Sequence, residues 1–78
     1  MRIETVVDNP MNALMPRVQT REIARDLGFN LRDQAFISLA TWSLVRAIGL
    51  GDSVPGNVII EHLQEQTREG VQVACNVP

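Results

Sequence analysis

The stretch from Leu31 to Ile48 contains neither glycine nor proline, and it is bounded by Asn30 on one side and Gly49 on the other. An Asn side-chain oxygen can accept the free N–H groups of a helix's first turn. A glycine just past the last turn takes the left-handed conformation that closes a helix. Asp33 adds a negative charge near the N-terminus, where the helix dipole favours it. The stretch therefore predicts one uninterrupted helix of about 27 Å, at ~1.5 Å per residue. In a chain of 78 residues this helix dominates a single domain, 1–78, with a small core. Leu31, Ala35, Phe36, Ile37, Leu39, Ala40, Trp42, Leu44, Val45 and Ile48 leave it only a narrow polar side. That pattern predicts a central, buried helix.

The flanking segments fall into place around it. Ile3 to Val7 alternates as a short strand, with Ile3, Thr5 and Val7 on one face, and Asp8-Asn9-Pro10 turns the chain. Asn12 to Leu27 reads as a first helix, with Leu14, Val18, Ile23, Ala24 and Leu27 as its apolar stripe and Pro16 in its first turn. After a glycine-rich loop through Gly56, Val58 to Gln66 and Val71 to Val77 read as two antiparallel strands. Arg68-Glu69-Gly70 fits a three-residue hairpin loop with glycine in the left-handed position. That register sets Leu63 opposite Cys75 and His62 opposite Asn76. It puts Val71, Val73, Cys75 and Val77 on the buried face, and Val58 and Ile60 with Gln64, Gln66 and Gln72 on the outer one. The expected fold is α/β (α+β), a two-layer β-α-α-β-β sandwich with a three-stranded antiparallel sheet.

Composition narrows the function classes. The formal charge is −2 and every basic residue is Arg, so the balance does not favour nucleic acid. One Cys and one His cannot make an internal disulfide or a structural zinc site within one chain. The expected setting is reducing and cytoplasmic. No apolar run has the ~20 residues that cross a bilayer, and the first residues do not read as a signal peptide.

The segment Arg25-Asp26-Leu27-Gly28-Phe29-Asn30-Leu31-Arg32-Asp33-Gln34 resembles the anti-sigma regulatory factor / serine-protein kinase family of the GHKL ATPases. In that family a Leu-Gly-Phe-Ser-x-x-Asp-Gln pattern precedes the long helix. Here Leu27-Gly28-Phe29-Asn30 and Asp33-Gln34 stand in its place, and Ile37, Ala40, Leu44 and Arg46 occupy similar positions. The likeness spans roughly Asn12 to Val77. It implies a reduced GHKL-like fold and, as partners, bacterial sigma factors or STAS-type regulators. The family's helix carries a Glu that activates the attacking group and an Asn that holds the phosphate-bound Mg²⁺. Ser43 and Ala47 fall at those positions. A Ser hydroxyl has no useful basicity near neutral pH, and a methyl group coordinates no cation. The family's next motif, Asp-x-Gly-x-Gly, would begin just after Pro78, which fits either a natural degenerate half of the fold kept for binding or a fragment of a longer protein; the residues lost at Ser43 and Ala47 favour the first. The resemblance therefore implies a degenerate pseudo-ATPase: no catalytic residue, no cofactor, no bound metal, and a regulatory or assembly role.

Four further features bear on function. Arg17, Arg21 and Arg25 recur at i, i+4, i+8, either as a solvated face or as a docking strip for an acidic partner. His62 and Cys75 lie on neighbouring strands but on opposite faces in the expected register, which argues against a nucleophile pair. Thr20 to Ile37 has the outline of a helix-turn-helix, yet Gln34 stands where that motif needs an apolar residue. The final strand carries Val71, Gln72, Val73, Ala74 and Cys75 without a charge, and is expected to be an unprotected sheet edge. Homodimerisation through residues 71–77, with Val58 and Ile60 joining the contact, is the expected use of that edge. A small accessory subunit of a larger complex and a DNA-binding regulator are the alternative functions.

Overall fold

In the computed structural model, which describes residues 2–52 and 54–77, the chain is α+β with the element order β-α-α-β-β. Strand β1 spans Arg2–Val7, helix α1 Met15–Asp26, helix α2 Leu31–Ile48, strand β2 Gly56–Glu65 and strand β3 Arg68–Asn76. A short 3-10 turn, Asn12–Leu14, leads into α1. The sheet is antiparallel in the order β1-β2-β3. Both helices cover one of its faces.

The helix boundaries follow the capping chemistry. Asn30 Oδ1 accepts the N–H of Asp33 at 2.8 Å, and Gly49 closes α2 at φ 76°. Pro16 sits in the first turn of α1, where it displaces no helical hydrogen bond. Gly51 also has a positive φ, 83°, and a Cβ there would lie 2.7 Å from the carbonyl oxygen of Asn9. Only glycine lets the loop after α2 pass this close to the turn after β1.

The core gathers Val7, Ala13, Ile23, Val45, Leu50, Val58 and Ile60. The helix faces are not those expected from the sequence. Leu14 and Val18 turn outward, whereas Ile23 and Ala24 are buried as expected and are joined by Pro16 and Thr20. In α2 the buried residues are Gln34, Ser38, Thr41 and Val45. Leu31, Phe36 and Leu39 are 75%, 74% and 56% exposed, and Leu44 lies partly in solvent. So α2 is not a buried central helix: its more polar stripe faces inward. The physical reason is that small hydroxyl side chains can be satisfied inside a helix seam. Thr20 Oγ1 donates to the carbonyl of Pro16 and Thr41 Oγ1 to that of Ile37, both at 2.9 Å. Ser38 Oγ bridges the seam to the carbonyl of Arg17 at 3.1 Å. Once paired, these groups no longer oppose burial.

The hairpin also differs. Glu65 pairs with Arg68 across a two-residue turn, Gln66-Thr67, with Gln66 at φ 55°. The three-residue loop Arg68-Glu69-Gly70 does not form. In the observed register Val58 faces Cys75, Ile60 faces Val73 and His62 faces Val71. Val58 and Ile60 are therefore core residues, both 0% exposed, and are not part of an outer contact face. Register follows burial: a slip by one residue would turn both toward water.

Candidate protein-binding surfaces

Three surfaces follow from this arrangement. The first lies along α1. Arg17, Arg21 and Arg25 are exposed and line a shallow groove of about 300 Å³ with Val18, Glu22 and Ser38. The only ion pair these arginines make among the described residues is Arg25 Nε to Asp26 Oδ1, at 3.8 Å on an exposed surface. A pair of that kind contributes little, so the strip presents its positive charge to solvent. Gln34 floors the same groove; its Nε2 donates to the carbonyl of Phe29 at 2.7 Å. The residue that breaks the helix-turn-helix pattern thus ties α2 to the loop before it.

The second surface is the outer face of α2. Phe36, Leu39, Ala40, Ser43 and Ala47 recur at helical spacing and are all exposed. Ser43 and Ala47, the positions where the resemblance would place ATPase residues, share this face one turn apart. Trp42, expected in the core, is half-buried at its margin, with the Arg46 guanidinium 5.8 Å from its ring centre.

The third is a groove of about 240 Å³ between α2 and β3, lined by Phe36, Ile37, Ala40, Leu44, Val71 and Val73. Strand β3 pairs with β2 alone, so its other side is a sheet edge. Gln72 and Ala74 face away from the helices, as expected, while Val71, Val73 and Cys75 are half-buried beneath α2.

His62 and Cys75 lie on the same face of the sheet, not on opposite ones, because the register differs from that expected. They remain apart: His62 faces Val71 and Cys75 faces Val58. His62 Nε2 is buried without a hydrogen-bond partner, 3.8 Å from Glu69 Oε1. Burial pushes the Cys75 thiol above its ordinary pKa, the opposite of what an activated nucleophile needs. Among the described residues no group of three or more His, Cys, Asp or Glu side chains is placed to hold a metal ion. No helix among them is long and apolar enough to cross a membrane.

The outward turn of α2 was missed because its apolar residues are numerous enough to hide the direction of the stripe. The signal was present. Gln34, Ser38, Thr41 and Val45 recur at i, i+4, i+7, i+11, matching a similar stripe through Thr20 on α1. Compared with protein-family models, curated proteins and solved structures, the chain gave no match.

Proposed function

We propose that this chain is a non-catalytic protein-binding module that works in regulation or assembly. One observation carries the reading: α2 turns Leu31, Phe36 and Leu39 into solvent while burying Gln34, Ser38 and Thr41. Isolated apolar residues on a surface are ordinary, but Phe36 and Leu39, one turn apart and joined by exposed Ala40, form an apolar patch of the kind that marks a face meeting another macromolecule. Aromatic side chains such as Phe36 are typical anchors of such contacts. The arginine strip of α1, whose groove reaches Gln34 and Ser38 of α2, favours an acidic partner surface. By the resemblance described above, the partner class is a sigma factor or a STAS-type regulator, in a cytoplasmic setting. The absence of catalysis rests on Ser43 and Ala47, which can neither activate a nucleophile nor hold Mg²⁺.

The experiment is a quantitative pull-down with the full chain as bait, run beside a Phe36→Glu/Leu39→Glu variant. A partner retained by the parent and lost by the variant is the expected result. Equal recovery by both would remove α2 from the interface. Calorimetry with millimolar Mg-ATP should give no saturable heat. A dissociation constant below about 100 μM, equivalent to roughly −5.5 kcal/mol, would overturn the pseudo-ATPase reading.

A further inference from the structure

The two layers of the fold do not match in width. Helices pack about 10 Å apart, whereas strands are spaced at about 4.8 Å, so each helix covers roughly two strands. Two helices need about four strands beneath them, and this sheet has three. The mismatch falls at the β3 edge, where the groove between α2 and β3 opens. Its roof is Phe36, Ala40 and Leu44, and its inner wall is Val71 and Val73. The space missing from the lower layer is one strand wide.

The backbone at this edge is ready to pair. In an antiparallel ladder, residues alternate between bonding the neighbouring strand and pointing away from it. Counted from the closing Glu65–Arg68 pair, Gln72 and Ala74 bond β2, and Val71, Val73 and Cys75 direct their N–H and C=O groups outward. From Gly70 to Asn76 β3 carries no charged side chain, and none of the devices that usually blunt an edge is present within it.

We propose that the site takes a single extended segment of a partner polypeptide as a fourth antiparallel strand. The segment is uncharged, with aliphatic side chains at alternate positions. Its backbone satisfies the outward groups of Val71, Val73 and Cys75, and its alternate side chains enter the groove beneath Phe36, Ala40 and Leu44. This is strand addition with pocket-based selectivity. It rests on the protein-binding reading and names the form the partner takes.

A second copy is a poorer occupant. Two β3 edges joined about a two-fold axis would put four helices over six strands, about 40 Å of helix on about 29 Å of sheet. Each α2 would then occupy the space the other needs. The edge is also small. About seven residues at ~3.4 Å give roughly 24 Å of contact length, and the molecule is 16 Å deep in its shortest dimension. The product, on the order of 400 Å² per copy, is about half of what a stable dimer buries. A lone strand lying under the helix roof meets neither restriction.

The test is amide hydrogen exchange on the full chain by NMR, with and without a synthetic nine-residue peptide of alternating valine and threonine. The control is the same peptide N-methylated at alternate residues, which cannot pair on that side. Expected is slowing of roughly tenfold or more at Val71, Val73 and Cys75 at saturating peptide, with Gln72 and Ala74 unchanged because β2 already protects them. The N-methylated peptide should give none of it. Ala40→Arg, an exposed position in the roof, should abolish the effect while the sheet's other amides keep their protection. No slowing with the parent peptide overturns the proposal, as does equal slowing with the methylated one. Shifts at Phe36 and Leu44 without edge protection would assign the groove to a helix instead. Edge protection that appears without peptide and grows with protein concentration would assign it to a second copy. Failure here with a successful α2-dependent pull-down would reject strand addition alone and leave the protein-binding reading standing.

Discussion

The reversal of α2 makes a quantitative prediction about where the stability of this domain resides. Ile60 is 0% exposed at the centre of the sheet, and Phe36 is 74% exposed on the helix. Ile60→Ala removes three carbons, worth about 2.4 kcal/mol at ~0.8 kcal/mol per methylene. The cavity left behind raises the cost to about 3–4 kcal/mol. A domain of this length has about 4–12 kcal/mol in total, at ~0.05–0.15 kcal/mol per residue. Its unfolding entropy is about 160 cal/mol/K at ~2.1 cal/mol/K per residue, so the midpoint should fall by roughly 20 °C. Phe36→Ala removes a larger side chain but returns little surface to water, and alanine is the better helix former. Its cost should stay below about 1 kcal/mol, or roughly 6 °C. Thermal unfolding followed by circular dichroism, at a few micromolar to avoid contributions from association, measures both. If Phe36→Ala costs as much as Ile60→Ala, α2 faces the other way and the reading of its outer surface falls with it.

Two further outcomes are expected. Gln66 holds a left-handed backbone at φ 55°, a conformation that costs a side-chain-bearing residue about 1 kcal/mol. Gln66→Gly should raise stability by about 0.5–1 kcal/mol, roughly 3–6 °C, and a lower melting temperature would refute the turn geometry. Cys75 is the only side chain able to titrate between about pH 8 and pH 11, since the sequence has no Lys or Tyr. Burial raises its pKa from the ordinary 9.0, so the folded state holds the thiol proton longer than the unfolded state does. Its contribution is complete below pH 9.0 and is lost as the pH rises through the folded-state value. Denaturant midpoints between pH 8 and pH 11 should fall for the parent and stay level for Cys75→Ala; parallel curves would place the thiol in water.

Much of the fold was legible because it depends on local chemistry. Asn30, Gly49 and Pro16 mark the helix ends by what their own atoms can do, and Ile3, Thr5 and Val7 show their common face by alternation. The parts that were not legible depend on partners distant in sequence. Gly70 looked like the left-handed turn residue because glycine normally is, yet burial of Val58 and Ile60 overrode turn preference and put Gln66 in that conformation. The same error displaced Val58 and Ile60 from the core and set His62 and Cys75 on opposite faces. On α2, counting apolar residues favoured Phe36 and Leu44 over Ser38 and Thr41. A hydroxyl's readiness to bond a carbonyl within a helix turn is invisible to a hydrophobicity pattern. Of the candidate surfaces, the arginine strip and the uncharged Gln72–Ala74 edge were legible; the outer face of α2 was not.

The seam between the helices has a consequence for the order in which the molecule comes apart. Thr20 and Thr41 bond carbonyls of their own helices, so those bonds survive when the helices separate. Ser38 to Arg17 is the one side-chain hydrogen bond that spans the seam among the described residues, and Val45 is the only fully buried apolar side chain that α2 adds to the core. The seam therefore depends on the apolar packing of Val45 with half-buried Trp42 and Ile48 more than on hydrogen bonds, and weakening that packing should loosen α2 before it disturbs the backbone pairing of the sheet.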